Sequence, residues 1–294
     1  MPSPIEISAV KLECFHRETD VSGTEVLLGT ATGSFFVRNK KSYLVTNWHV
    51  LTGRRPNAPN KSETGAVITH LRVLYHDLEK DSQDRTVISR LRHKSFEIEI
   101  NSVDGENPKW IEDPSRPLGN DIAAIECNIP ENAAIKPANL VFEDKHVEPV
   151  FGDNVLILGF PRGLSGGTEA LPIGKVGHIA SGPMISHRGH PRFLIDARTY
   201  KGMSGAPVFL NDFRVTKSQI GTHQMLLGVY SGRLTSKIDN TETEIGYCWR
   251  TDYIEQLLFD RAPWPANRTS RLSSFANSPT FVDSADVKDN QGQK

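Results

Sequence analysis

Lys201-Gly202-Met203-Ser204-Gly205-Ala206-Pro207-Val208 sets a serine in a glycine-flanked turn that leads straight into an apolar, strand-like run. Glycines on both sides admit backbone conformations closed to other residues and let neighbouring amide N–H groups converge. A serine hydroxyl is a weak nucleophile until an imidazole takes its proton, and that imidazole needs a buried carboxylate to fix its tautomer. Two further segments supply those groups. Tyr43-Leu44-Val45-Thr46-Asn47-Trp48-His49 is a strand that ends by presenting a histidine, and Gly119-Asn120-Asp121-Ile122-Ala123-Ala124-Ile125 starts an apolar strand with an aspartate. Each is ordinary alone: histidines end many strands, aspartates precede many, and Gly-x-Ser-Gly turns arise by chance. In combination, His49, Asp121 and Ser204 make a base, an orienting acid and a nucleophile. The backbone N–H groups of Gly202 and Ser204 would then face the developing oxyanion.

Outward from these segments, the apolar pattern is short and β-like. Val26–Leu28, Ser34–Val37 and Tyr43–Thr46 are rich in β-branched and aromatic residues, as are 68–75, 95–100, 121–128, 154–159, 192–197, 205–210 and 225–231. Many short strands separated by turn residues predict an all-β barrel or sandwich. Helical spacing stands out near the end, where Thr251 or Asp252 would cap a helix with Ile254, Leu257 and Leu258 on one face. Segments 52–66, 77–86 and 101–120 are polar and read as loops. Residues 261–294 are rich in Ser, Asn, Pro and Asp and read as a disordered tail. No solenoid-type repeat is visible.

The 294 residues carry 34 Lys+Arg against 35 Asp+Glu, a net charge of −1. That length suits two domains or one two-lobed β unit. Near-neutrality removes the attraction that drives sequence-independent nucleic-acid binding. Cys14, Cys127 and Cys248 are too few and too scattered for a disulfide scaffold or a cysteine-rich zinc site, and they fit a reducing compartment. No run reaches the ~18 apolar residues of a membrane span, and the N-terminus lacks the basic and apolar regions of a signal peptide. The expectation is a cytoplasmic protein that contacts neither nucleic acid nor membrane.

The order His49, Asp121, Ser204 resembles that of the trypsin/chymotrypsin-like serine peptidases, most closely the bacterial branches that include the HtrA and glutamyl-endopeptidase groups. Thr30–Val37 looks like the strand pair before the family's histidine. Gly152-Asp-Asn-Val-Leu-Ile-Leu-Gly-Phe-Pro161 looks like the opening strand of its second barrel, and Gly228-Val-Tyr-Ser-Gly232 like the strand that pairs with substrate backbone. The resemblance spans roughly residues 25 to 260. It implies a chymotrypsin-like double β-barrel of about six strands per barrel with a short C-terminal helix. Residues 1–145 would carry His49 and Asp121, and residues 146–260 would carry Ser204. It further implies a serine endopeptidase acting on protein or peptide substrates through an acyl-enzyme, with no cofactor and no metal.

Two departures qualify that picture. Met203 stands where digestive relatives carry an aspartate that pairs with a freshly cut N-terminus, so the oxyanion hole is preformed or is ordered by a regulatory partner. The tail is too short and polar for the PDZ domain of HtrA proteins. By the family's register Arg198 and Thr199 lie at the base of the specificity pocket, with Tyr230, Ser231 and Gly232 on its wall. Arg198, with Arg233, would favour an acidic residue before the scissile bond. Against this, the glutamyl endopeptidases carry a histidine where Tyr230 stands.

Other readings compete. A peptidase-fold protein can be catalytically silent or partner-gated and serve to bind. Gly163-Leu-Ser165-Gly-Gly167 matches the nucleophile elbow of α/β-hydrolases, with Asp196 and His223 in the right chain order, but helices are missing around it. The same glycines lack the Lys-Ser/Thr ending of a phosphate loop. His187 and His190 have no cysteine or carboxylate nearby in sequence to complete a metal site.

Overall fold

The structure, a computed structural model, describes residues 3–18, 24–62, 66–83, 86–88, 93–101, 108–113, 119–142, 148–167, 170–215, 220–236, 238–239 and 241–260. The expected tail at 261–294 lies outside the described residues, as does the lobe boundary expected at 145.

The first lobe contains β1 (Val10–Arg17), β2 (Glu25–Arg38), β3 (Lys41–Thr46), the helical turn α1 (Trp48–Thr52), β4 (His70–Tyr75), β5 (Lys94–Glu99), β6 (Trp110–Ile111) and β7 (Ala123–Glu126). These strands form one antiparallel sheet in the order β6-β7-β3-β2-β1-β4-β5. The second lobe is a closed six-stranded barrel. Its strands are β8 (Asn154–Gly159), β9 (Ile173–Ile179), β10 (Arg192–Asp196), β11 (Pro207–Val215), β12 (Ile220–Thr235) and β13 (Glu242–Arg250), joined in the order β8-β9-β10-β13-β12-β11. Helix α2 (Thr251–Asp260) follows. Two ribbons, Arg54–Arg55 with Ala58–Ser62 and Leu78–Lys80 with Thr86–Ile88, occupy segments read as loops. The strand content, the closed second barrel and the short C-terminal helix fit the expected all-β chymotrypsin-like fold; where about six strands in a first barrel were expected, the described residues form a seven-stranded sheet.

Side chains of successive strand residues point to opposite faces, and here that alternation builds three cores. Phe35, Leu44 and Ala123 face the interior of the first lobe with Leu12, Leu71 and Val73. Their neighbours Phe36, Val45 and Ala124 face the other way, into an interlobe core with Phe209, Val229 and Trp249. On the second lobe, Val208 and Cys248 turn into the barrel beside Val155, Phe193 and Met203. Helix α2 seals the interlobe core with Tyr253, Ile254, Leu257 and Leu258, a helical i, i+3, i+4 face. Burial of each large apolar side chain stabilises the fold by about 1.5–3 kcal/mol. Strands buried on both faces explain why their sequences run continuously apolar, and they hold the two lobes in fixed register.

Candidate active site

His49 is the second residue of α1, at the end of β3 rather than within it. Its Nδ1 lies 2.8 Å from Asp121 Oδ2 and 3.0 Å from Oδ1, and its backbone N–H donates to Oδ1 at 3.0 Å. Ser231 Oγ donates to Oδ2 at 2.7 Å, and Asn47 Nδ2 donates to the Asp121 carbonyl at 2.8 Å. The Asp121 side chain is 6% exposed and the His49 side chain 20%. A carboxylate so placed accepts only. Nδ1 therefore carries the proton, and Nε2 is left as the basic nitrogen.

Ser204 sits in the turn that enters β11, between Gly202 (φ 92°) and Gly205 (φ 88°), both in the left-handed region. A Cβ on Gly202 would collide with the Phe160 carbonyl, and one on Gly205 with the Thr32 carbonyl, so both positions require glycine. The Lys201 carbonyl accepts from the Arg162 N–H at 2.6 Å. Across a trans peptide the following N–H points the opposite way, so this bond turns the Gly202 N–H away from Arg162. Thr32 Oγ1 donates to the Gly202 carbonyl at 2.8 Å, and the Thr32 N–H donates to the Ser204 carbonyl at 2.9 Å. Among the described residues the Gly202 and Ser204 amides have no acceptor of their own. With the Lys201, Gly202 and Ser204 carbonyls tied down, the amides stay available to a developing negative charge.

His49, Asp121, Gly202 and Ser204 line one interlobe cavity of about 660 Å³. The family model for the trypsin-like peptidase domain matches residues 31–216, more than half of the chain, and all four residues lie inside the match. The chain belongs to this family. Ser231, which lies beyond the matched region, completes the hydrogen bonding of Asp121. No curated protein matches the chain at a significant level.

In this trypsin-like domain, Met203 is fully buried in the barrel core, where an aspartate would find no compensating charge. Thr32 and Arg162 hold the loop instead. Neither carried a sequence signal, because their roles arise from contacts between distant segments.

The expected specificity residues divide. Tyr230, Ser231, Gly232 and Arg233 line the cavity. Thr199 is fully buried, with Oγ1 2.5 Å from the Tyr230 hydroxyl. Burial pushes the Tyr230 phenol up to about 12, so it stays neutral. Arg198 is exposed and does not line the cavity. The chain past β10 stays alternating, with Ala197 and Thr199 inward, and this turns Arg198 outward beside the Tyr200 ring. The acidic-pocket role expected of Arg198 therefore has no support in its placement. Arg233 does face the cavity, but it is ion-paired with Glu242.

Ser165 lies in an irregular segment after β8 within an antiparallel barrel, so the strand–turn–helix context of a hydrolase elbow is absent there. The side chain of His223 lies outside the described residues. His187 and His190 form a β-bridge, and their rings pack on Tyr247 and Trp249. Glu25, His70 and Glu97 approach metal-ligand spacing, but Arg17 and Arg72 already pair with both carboxylates.

Proposed function

We propose that this trypsin-like domain is a serine endopeptidase. Ser204 attacks the scissile carbonyl, and His49 Nε2 takes the hydroxyl proton and later delivers it to the leaving amine. Asp121 holds the imidazole and stabilises the imidazolium. The Gly202 and Ser204 amides receive the oxyanion, and water then hydrolyses the acyl-enzyme.

The observation that carries this reading is the Asp121 carboxylate, which accepts from both the ring and the backbone of His49 and from Ser231, across one cavity from Ser204. The anchored Lys201–Gly202 peptide favours an oxyanion hole formed without a partner over partner gating. Hydrolysis of a peptide library by the full chain and by Ser204→Ala tests the proposal. Cleavage by the wild type alone is expected, and equal cleavage by both would overturn it.

A further inference from the structure

Arg192, on β10, lines the same cavity as His49 and Ser204. Its side chain faces outward from the barrel, opposite Trp249 of β13. The residue is 8% exposed, and among the described residues its Nε has no hydrogen-bond partner. Among the described residues its guanidinium has no carboxylate partner; it rests on aromatic faces, 3.9 Å from the Tyr247 ring centroid and 5.1 Å from that of Trp249. Tyr247 in turn pairs with Gly232, next to the Ser231 that bonds Asp121.

A buried cation without a counter-charge is costly, and such groups are normally paired. Burial accordingly pulls the Arg192 pKa down, opposed by Tyr247 and Asp121. Asp121 cannot serve as its partner, because its carboxylate already accepts from His49 and Ser231. The cavity as a whole is cationic. Arg55, Arg192, Lys201 and Arg233 line it, against Asp121 and Glu242, and Glu242 is paired with Arg233. An aromatic cradle fixes the planar guanidinium while leaving its in-plane N–H donors for a carboxylate.

We propose that Arg192 forms a recognition subsite that binds an acidic side chain of the substrate upstream of the scissile bond. The upstream assignment comes from the resemblance of Gly228–Gly232 to the family's substrate-pairing strand, whose Gly232 pairs with the Tyr247 that carries Arg192. This inference rests on the peptidase reading, from which it takes the direction of the peptide. Arg192 acts by binding substrate and takes no part in proton transfer.

The test is a positional-scanning peptide library in which each position carries Glu or Gln in turn. With the full-length wild type, kcat/KM should favour Glu about tenfold or more at one upstream position. Arg192→Gln should abolish that ratio, Arg192→Lys should keep part of it, and Arg192→Glu should reverse it towards Lys peptides. The same library is scored for binding to Ser204→Ala, which reads the subsite without catalysis. Equal binding of Glu and Gln at every upstream position overturns the subsite even if the wild type cleaves peptides. Glu-selective binding without cleavage overturns the peptidase reading and leaves an anion-binding cleft. If Arg192→Gln lowers kcat equally for Glu and Gln peptides, Arg192 supports Asp121 and not the substrate. Should Arg192→Gln fail to fold, the wild-type ratio and Arg192→Lys still decide.

Discussion

Thr32 Oγ1 donates to the carbonyl of Gly202 at 2.8 Å and accepts from the N–H of Phe160 at 3.1 Å. One buried hydroxyl on β2 thus ties the first lobe to the loop that carries Ser204 and to the chain just after β8. It is a positioning residue, since it would touch no reacting atom. Thr32→Val keeps the shape and removes both bonds, leaving a buried carbonyl and amide unsatisfied at about 1–3 kcal/mol. The acylation rate should fall about tenfold or more while KM changes little, because the lost bond holds the Gly202–Met203 peptide, which links the Gly202 and Ser204 amides. Stopped-flow acylation checks this, and an unchanged rate in a folded variant would remove Thr32 from the account.

Asp121→Asn is expected to preserve the fold and to reduce kcat by about 10³–10⁴. An amide at this position offers an N–H towards His49 Nδ1 and so inverts the tautomer that leaves Nε2 basic. Steady-state kinetics beside a melting curve separates this effect from unfolding.

The three cysteines should be inert. Burial raises Cys14 and Cys127 to about 12 and holds Cys248 well above its ordinary value. At pH 8 a thiol with a pKa near 12 is only about one part in ten thousand thiolate. Alkylation by iodoacetamide, followed by intact mass, should leave native protein unmodified and active, even though Cys14 borders the cavity.

Tyr230→Phe should strand the buried Thr199 hydroxyl and destabilise the fold by about 1–3 kcal/mol. A pocket that has lost its neutral polar pair should lose selectivity for polar side chains in favour of apolar ones, read from a library profile. Tyr230→Phe with Thr199→Val should recover much of the stability, since neither polar partner is then left alone.

Acid stability has a defined sign at Glu25. The Arg17 guanidinium, with Arg72 and His70, holds its carboxyl below the ordinary glutamate value. A lowered folded pKa contributes stability above the unfolded value of about 4.3, and this is lost as pH falls through the folded value. Melting curves between about pH 2 and 6 should therefore fall more steeply for wild type than for Glu25→Gln. The group is exposed, so the difference should be small and should shrink with added salt.

Local chemistry made the candidate triad legible: a serine between glycines, a histidine at a strand end and an aspartate before an apolar run are each contiguous signals. Strands with a buried apolar run, such as 154–159, were equally plain. β9, Ile-Gly-Lys-Val-Gly-His-Ile, and most of β13 were not, because glycines and charges dilute the pattern in strands whose pairing in the closed barrel supplies what propensity lacks. β1 alternates Val10, Leu12 and Cys14 with Lys11 and Glu13, a period-two signal carried by the sequence itself. Thr32, Arg162 and Arg192 could not be read at all. Their partners lie far off in sequence, and Arg192 gains its meaning only when β13 brings Tyr247 beneath it. Arg198 illustrates the converse, since a register carried over from relatives placed inward a side chain that the backbone alternation turns outward.

The proposed mechanism requires Ser204 to be an activated nucleophile. Its most direct measurement is fluorophosphonate labelling of the full-length chain, with the adduct mapped by mass spectrometry in wild type, Ser204→Ala and Ser165→Ala. One adduct is expected, on Ser204, present in wild type and Ser165→Ala and absent from Ser204→Ala. An adduct on Ser165, or a wild type that takes no label, would contradict it.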